Sequence, residues 1–180
     1  MTLRSLLDKG AGSAIALSAP ARQPLTYVQL RRHVDTIGRQ LAGQGLHASD
    51  RVAIVLPNGP EMASSFLAVA SYMSAAPLNP NYKRNEYEFY LSDLKPALVI
   101  VEQGSDNPVR QAAAALNIPV AEARVKPDMS AGEFFLFDEE ADIKYASTEQ
   151  EALVLHTSGT TSRPKVVPLL QKNILASARN

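Results

Sequence analysis

Three short segments, Val52-Ala53-Ile54-Val55-Leu56, Ala97-Leu98-Val99-Ile100-Val101 and Ala152-Leu153-Val154-Leu155, are apolar at every position. A strand with one face in water alternates apolar and polar residues. Unbroken runs need cover on both faces, which helices packed on a largely parallel sheet provide. The intervening sequence supplies such helices. Leu30, Val34, Ile37 and Leu41 recur at spacings of three and four behind Thr26 and Gln29, a pair suited to a reciprocal N-terminal cap, and Gly45 sits where that helix should end. Pro57-Asn58-Gly59-Pro60-Glu61 interrupts the first strand and offers an early-helix proline ahead of Met62, Phe66, Val69 and Met73, whose spacing makes the methionines core residues. Pro77 and Pro80 stop this helix. Asn85 and Glu88 are placed to cap a third, carrying Tyr87, Tyr90, Leu91 and Leu94, with tyrosines that pack rather than bind a cofactor. A fourth helix is expected around Val109, Ala113 and Leu116, and another strand over 118–121. The fold class is therefore α/β and layered, one domain or part of one, with the strand order open.

Beyond residue 121 the pattern loosens. Asp128, Glu133, Asp138, Glu139, Glu140, Asp142, Glu149 and Glu151, relieved mainly by Lys144, read as a solvated connector, with a short strand over 134–137. Spread carboxylates without histidine make a poor transition-metal site, and no metal ligand is assigned. From Pro168 to Asn180 the expectation is a turn and then a helix whose face begins at Ile174, Leu175 and Ala178 and has no stop signal. The 180 residues are accordingly read as a truncated domain, whose exposed core edge would favour self-association.

Composition removes several functions. The 18 basic side chains balance 18 acidic ones, so the clustered positive charge of a nucleic-acid binder is missing on average. Without cysteine, disulfides and thiolate chemistry are excluded. No apolar run is long enough for a membrane span, and Arg4, Asp8 and Lys9 break any signal-peptide core, which makes a cytoplasmic location the default expectation.

The strongest local signal is His156-Thr157-Ser158-Gly159-Thr160-Thr161-Ser162-Arg163-Pro164-Lys165, directly after an apolar strand. Small residues let backbone amides approach an anion, the hydroxyls add donors or metal-facing oxygens, and Lys165 supplies a compact positive charge. This is not the ordinary P-loop pattern, because Ser162 replaces its second glycine and Pro164 intervenes. From the residues alone, a hydroxyl-rich turn and a polyphosphate-binding loop both remain open.

Residues 155–165 resemble the phosphate loop of the adenylate-forming acyl-CoA synthetase family, and Ala76-Pro77-Leu78-Asn79-Pro80-Asn81-Tyr82 resembles that family's segment following an N-terminal helix. The likeness extends loosely from Thr26 to Asn180. It implies a layered α/β/α N-terminal subdomain, with residues 1–180 a partial N-terminal domain ending just after the loop. It also implies that Thr157, Ser158, Gly159, Thr160, Thr161 and Lys165 embrace the ATP phosphates, with Lys165 and Thr160 in catalytic roles. The implied reaction joins a carboxylic acid to AMP, releases pyrophosphate, and passes the acyl group to the thiol of CoA, with Mg2+ offsetting phosphate charge. These activities belong to the parent enzyme. The later nucleotide, acyl and thiol segments of the family and its C-terminal lid are not in this sequence, so the fragment alone is expected to be inactive. An amino-acid adenylation enzyme loading a carrier-protein thiol is one alternative; a non-catalytic phosphate-binding or interaction fragment is another.

Four positions depart from the family pattern: Ser162 and Val166 where glycine is frequent, and Gln171-Lys172 where serine-histidine is usual. The remaining polar residues have simpler expected roles. His33 and His47 are assigned to surface or capping positions, and His156 to orientation or packing with no carboxylate partner evident. Asn79, Asn81 and Tyr82 are expected to satisfy a proline-rich turn, and Lys83 and Arg84 to form a solvated helix start. Arg163 is open between a phosphate contact and solvent.

Overall fold

The computed structural model describes residues 1–157 and 164–178. Its helices are α1 (Leu3–Leu7), α2 (Tyr27–Gly43), α3 (Pro60–Tyr72), α4 (Arg84–Leu94), α5 (Val109–Ala115) and α6 (Gln171–Ser177). A two-stranded antiparallel ribbon joins β1 (Ile15–Leu17) to β2 (Leu25–Thr26). The remaining strands are β3 (Arg51–Val55), β4 (Ser74–Pro77), β5 (Leu98–Glu102), β6 (Val120–Ala123), β7 (Glu151–Thr157) and β8 (Lys165–Leu170). They form one sheet in the order β6-β5-β3-β4-β7-β8, parallel except for β8, which returns antiparallel beside β7.

The apolar runs divide their side chains between two cores. Val52, Ile54, Leu98 and Ile100 meet Leu30, Val34 and Ile37 of α2 and Ala68 and Val69 of α3. Their neighbours Ala53, Val55, Val99 and Val101 meet Tyr87 and Leu91 of α4 and Val109 and Ala113 of α5. None of these strand residues is more than 2% exposed, so the sheet is covered on both faces, and each large aliphatic side chain contributes about 1.5–3 kcal/mol by burial. The α/β/α layering expected from the unbroken runs is the one found.

Local signals explain how the segments begin and end. Gln29 Oε1 accepts from the Thr26 N–H at 2.9 Å and the Thr26 hydroxyl at 2.7 Å. At the other end of α2, Gly45 has φ +80, and the N–H groups of Gly45 and Leu46 reach the Ala42 and Leu41 carbonyls at 2.9 and 3.3 Å. That pairing satisfies the last carbonyls of the helix and uses a conformation open to glycine. Met62 and Phe66 are half-buried, whereas Val69 and Met73 are buried.

Several expectations are corrected. Helix α4 is capped by Lys83 and Glu86 rather than Asn85 and Glu88: Glu86 accepts from the Lys83 N–H at 2.8 Å, and Glu88 instead pairs with Arg84 at 2.7 Å. The turn of residues 79–82 releases the chain earlier, with the Tyr82 N–H on the Asn79 carbonyl at 3.2 Å. Ser74–Pro77 forms a central strand that its small residues did not announce. The turn expected at Pro168 is instead part of strand β8, paired opposite Val154; an edge strand tolerates a residue without an N–H. The strand expected over 134–137 is reduced to one bridge, Arg124↔Phe135.

The acidic connector is more than solvated chain. Ala131, Phe134 and Leu136 are buried, Gln40 Oε1 accepts from the Leu136 N–H at 2.9 Å, and Arg39 pairs with Glu140 at 2.7 Å. This strap covers the face of α2 that carries His33. His33 is therefore a core residue rather than a surface or capping one: it is 7% exposed, its Nε2 has no hydrogen-bond partner among the described residues, and its ring meets Phe134 edge-on at 4.8 Å. Burial pushes its pKa down to about 4, against the opposing fields of Glu133 and Glu61. His47 has the local role expected, its N–H donating to Asp50 at 2.6 Å. Among the described residues, no helix is long and apolar enough to cross a membrane.

Candidate functional site

Strands β7 and β8 form a hairpin whose last registered pair is Thr157↔Lys165. The hydroxyl-rich segment joins these two residues at the carboxyl end of β7, the edge of an α/β sheet where ligands bind. Ser158, Gly159, Thr160, Thr161, Ser162 and Arg163 lie outside the described residues. Thr157 and Lys165 do not: both are exposed, and they stand opposite one another at the hairpin's open end. The Lys165 ammonium has no hydrogen bond or ion pair among the described residues. An unpaired cation beside a hydroxyl suits an anionic ligand.

The hairpin leaves the sheet as it approaches this end. Strand β7 shares one registered position with β4, Ala75↔Leu153. Its outer half is held by β8 and by helix α4. His156 Nε2 lies 3.0 Å from Asp93 Oδ2, which supplies the carboxylate partner that sequence reasoning did not find. The two are 63 positions apart, and a lone aspartate late in a helix gives no sign of its partner. The His156 ring meets Tyr90 edge-on at 4.7 Å, and Tyr90 stacks on Tyr82 at 4.8 Å. Hydrogen bonding with Tyr90, reinforced by burial, pushes the Tyr82 phenol up to about 12. Tyr87 then packs on Tyr82 at 5.8 Å and donates to the Asn79 carbonyl at 2.9 Å. This aromatic series links the strand entering the loop to the Asn79–Tyr82 turn. Asn79 also accepts from the Asn81 N–H at 3.0 Å, the structural role expected of it.

The opposite ends of the hairpin are clamped. Arg51 holds both Glu151 oxygens at 2.9 and 3.0 Å; burial opposes the charge, but these bonds keep the Glu151 carboxyl below its usual range. Gln171, following β8, is fully buried. It accepts from the Leu3 N–H at 2.9 Å and donates to the Ala70 carbonyl at 2.5 Å, tying α6 to α1 and α3. One of the family departures noted above is thus a buried hydrogen-bonding clamp. Among the described residues, no group of three His, Cys, Asp or Glu side chains could hold a metal ion.

The AMP-binding enzyme family matches residues 8–180. The chain is 36% identical over 172 residues to an oxalate–CoA ligase of Arabidopsis thaliana, covering 92% of this chain and 34% of that protein. It is 36% identical over 193 aligned positions to a probable CoA ligase, CCL9, of Humulus lupulus, covering all of this chain and 36% of that protein. In three dimensions it resembles apo MatB from Rhodopseudomonas palustris, with a TM-score of 0.81 at 21% identity over 99% of this chain and 37% of MatB. The chain spans about a third of the length of these relatives.

Proposed function

The chain belongs to the AMP-binding enzyme family, and from that premise we propose that residues 1–180 form the N-terminal subdomain of a longer enzyme that activates a carboxylic acid with ATP. In this reading a carboxylate oxygen attacks the α-phosphorus of ATP. The bond to the bridging oxygen breaks, pyrophosphate departs with the electron pair, and the acyl-adenylate remains. The CoA thiol, giving up its proton, then attacks the acyl carbon and displaces AMP.

The observation that carries the proposal is the Thr157↔Lys165 closure, which brings an exposed threonine and a lysine unpaired among the described residues to the two ends of one loop. Thr157, Ser158, Gly159, Thr160 and Thr161 supply amide and hydroxyl donors to the phosphate oxygens. Lys165 and Thr160 act on the charge that builds on the departing pyrophosphate, where fixed donors are worth most. Magnesium, when bound, offsets phosphate charge; hard oxygen donors suit it, and phosphate and water would supply most of them.

Because this chain corresponds to about a third of its relatives, the activity is assigned to the full-length enzyme, and residues 1–180 alone are expected to form no acyl-adenylate. The Arabidopsis relative's name makes oxalate a first acid to test. The full-length enzyme should be assayed over oxalate, other acids and amino acids for acyl-AMP, then acyl-CoA. Formation of both from an organic acid is expected. Amino-acid adenylation without CoA transfer would overturn the CoA assignment, and stoichiometric acyl-AMP from residues 1–180 would overturn the assignment to the longer protein.

A further inference from the structure

A second feature lies on the same carboxyl edge and is independent of the phosphate-loop reading. From β3 the chain passes through α3 to β4 on one side; from β4 it passes through α4 to β5, on the other side of β3. Helix α3 belongs to one layer and α5, which follows β5, to the other. The loops leaving β3 and β5 therefore diverge, and such a switch point opens the crevice where α/β sheets bind ligands. Here it holds a cavity of about 320 Å³, walled by Leu56, Pro57, Pro60, Ala123 and Val125. That is room for a small organic molecule.

The polar groups at this cavity are unevenly matched. Glu61, in the first turn of α3, uses Oε1 to accept from the Arg22 guanidinium and from the Gly132 N–H. Its Oε2 lies 3.9 Å from where a Cβ on Gly59 would stand, in the space beside a glycine that lines the cavity. Arg22 is further committed to the Ser130 carbonyl at 2.7 Å. Glu102, across the crevice at the end of β5, is exposed, and its carboxylate has no hydrogen bond or ion pair among the described residues. The neighbouring Arg110 is paired with Glu122. Arg22 thus offsets one carboxylate and Glu102 remains uncompensated. The positive end of the α3 dipole, equivalent to about half a charge, already faces Glu61. Among the charged residues lining the cavity, two carboxylates, Glu61 and Glu102, stand against one guanidinium, Arg22.

We propose that this cavity binds a small ammonium compound with an apolar body, its N–H groups donating to Glu102 and to Oε2 of Glu61 and its apolar part lying against Pro57, Pro60 and Val125. The matched anion would face Glu102 without compensation. Gly59 is extended, with φ 171 and ψ −176, so a side chain there fills the cavity without backbone strain.

The test is an amide-resolved NMR titration of the chain with phenethylammonium, with phenylacetate and phenylethanol as the anionic and neutral counterparts. Saturable shifts at Gly59, Glu61 and Glu102 are expected with the ammonium compound, at least about tenfold weaker with either counterpart. Glu102→Gln should weaken ammonium binding about tenfold, and Gly59→Leu should abolish it. Melting temperatures check folding, and the exposed Glu102→Gln variant decides if Gly59→Leu is destabilised. Equal shifts with phenylacetate, unchanged binding by Glu102→Gln, or no saturable shift at these amides would overturn the proposal.

Discussion

The middle of the sheet and its β7–β8 margin begin from equally apolar sequence and reach different physical states. Strand β3 is registered against β4 from Arg51 to Ile54 and against β5 from Val52 to Val55, with Val52–Val55 at most 2% exposed. Strand β7 meets β4 at Ala75↔Leu153 alone, takes its other partners from antiparallel β8, and leaves Leu155 40% exposed. An apolar run therefore states what a strand can bury, while its neighbours decide what it does bury. The consequence is functional: the hydroxyl-rich loop is attached to a hairpin whose pairing is mostly its own. Opening of the described hairpin strands would leave the doubly covered core intact, since local opening draws on the less buried parts of a structure.

That contrast can be broken by mutation. Ile100→Ala removes a fully buried side chain and should lower unfolding free energy by about 2–5 kcal/mol, read from urea midpoints. The next effect concerns His33, whose pKa falls from an ordinary 6.5 to about 4 in the folded chain. The unfolded chain takes up a proton over this window and the folded chain does not. Stability is thus complete above pH 6.5 and declines as pH falls toward 4, by about 3 kcal/mol over the window. His33→Leu should flatten this slope; an unchanged slope would show that the strap does not seal the imidazole. The smallest effect is expected at the margin, where Leu155→Ser should stay within about 0.5 kcal/mol. A loss as large as that of Ile100→Ala would remove the distinction between the two regions.

Legibility in the sequence follows the same divide. Helix α2 was readable because cap, apolar stripe and terminal glycine agree within one segment, and β3 and β5 because both their faces are buried. Strand β4 was not, since Ser74-Ala75-Ala76-Pro77 owes its conformation to the strands on either side. Pro168 marked a turn in isolation, yet an antiparallel edge accepts it. For the candidate site, the loop and Lys165 were visible as a contiguous pattern. The His156–Asp93 contact, the burial of His33 under residues 131–136 and the Gln171 clamp were not, because each depends on packing between segments far apart in the chain.

Lys165→Met in the full-length enzyme, assayed for acyl-adenylate formation alongside its melting temperature, tests the central claim most directly. Because the Lys165 side chain is exposed and unpaired among the described residues, the melting temperature should hold. Adenylation should fall by about 10²–10³-fold, the loss typical of removing one fixed group that stabilises transition-state charge. A folded variant that forms acyl-adenylate at the unmodified rate would contradict the account.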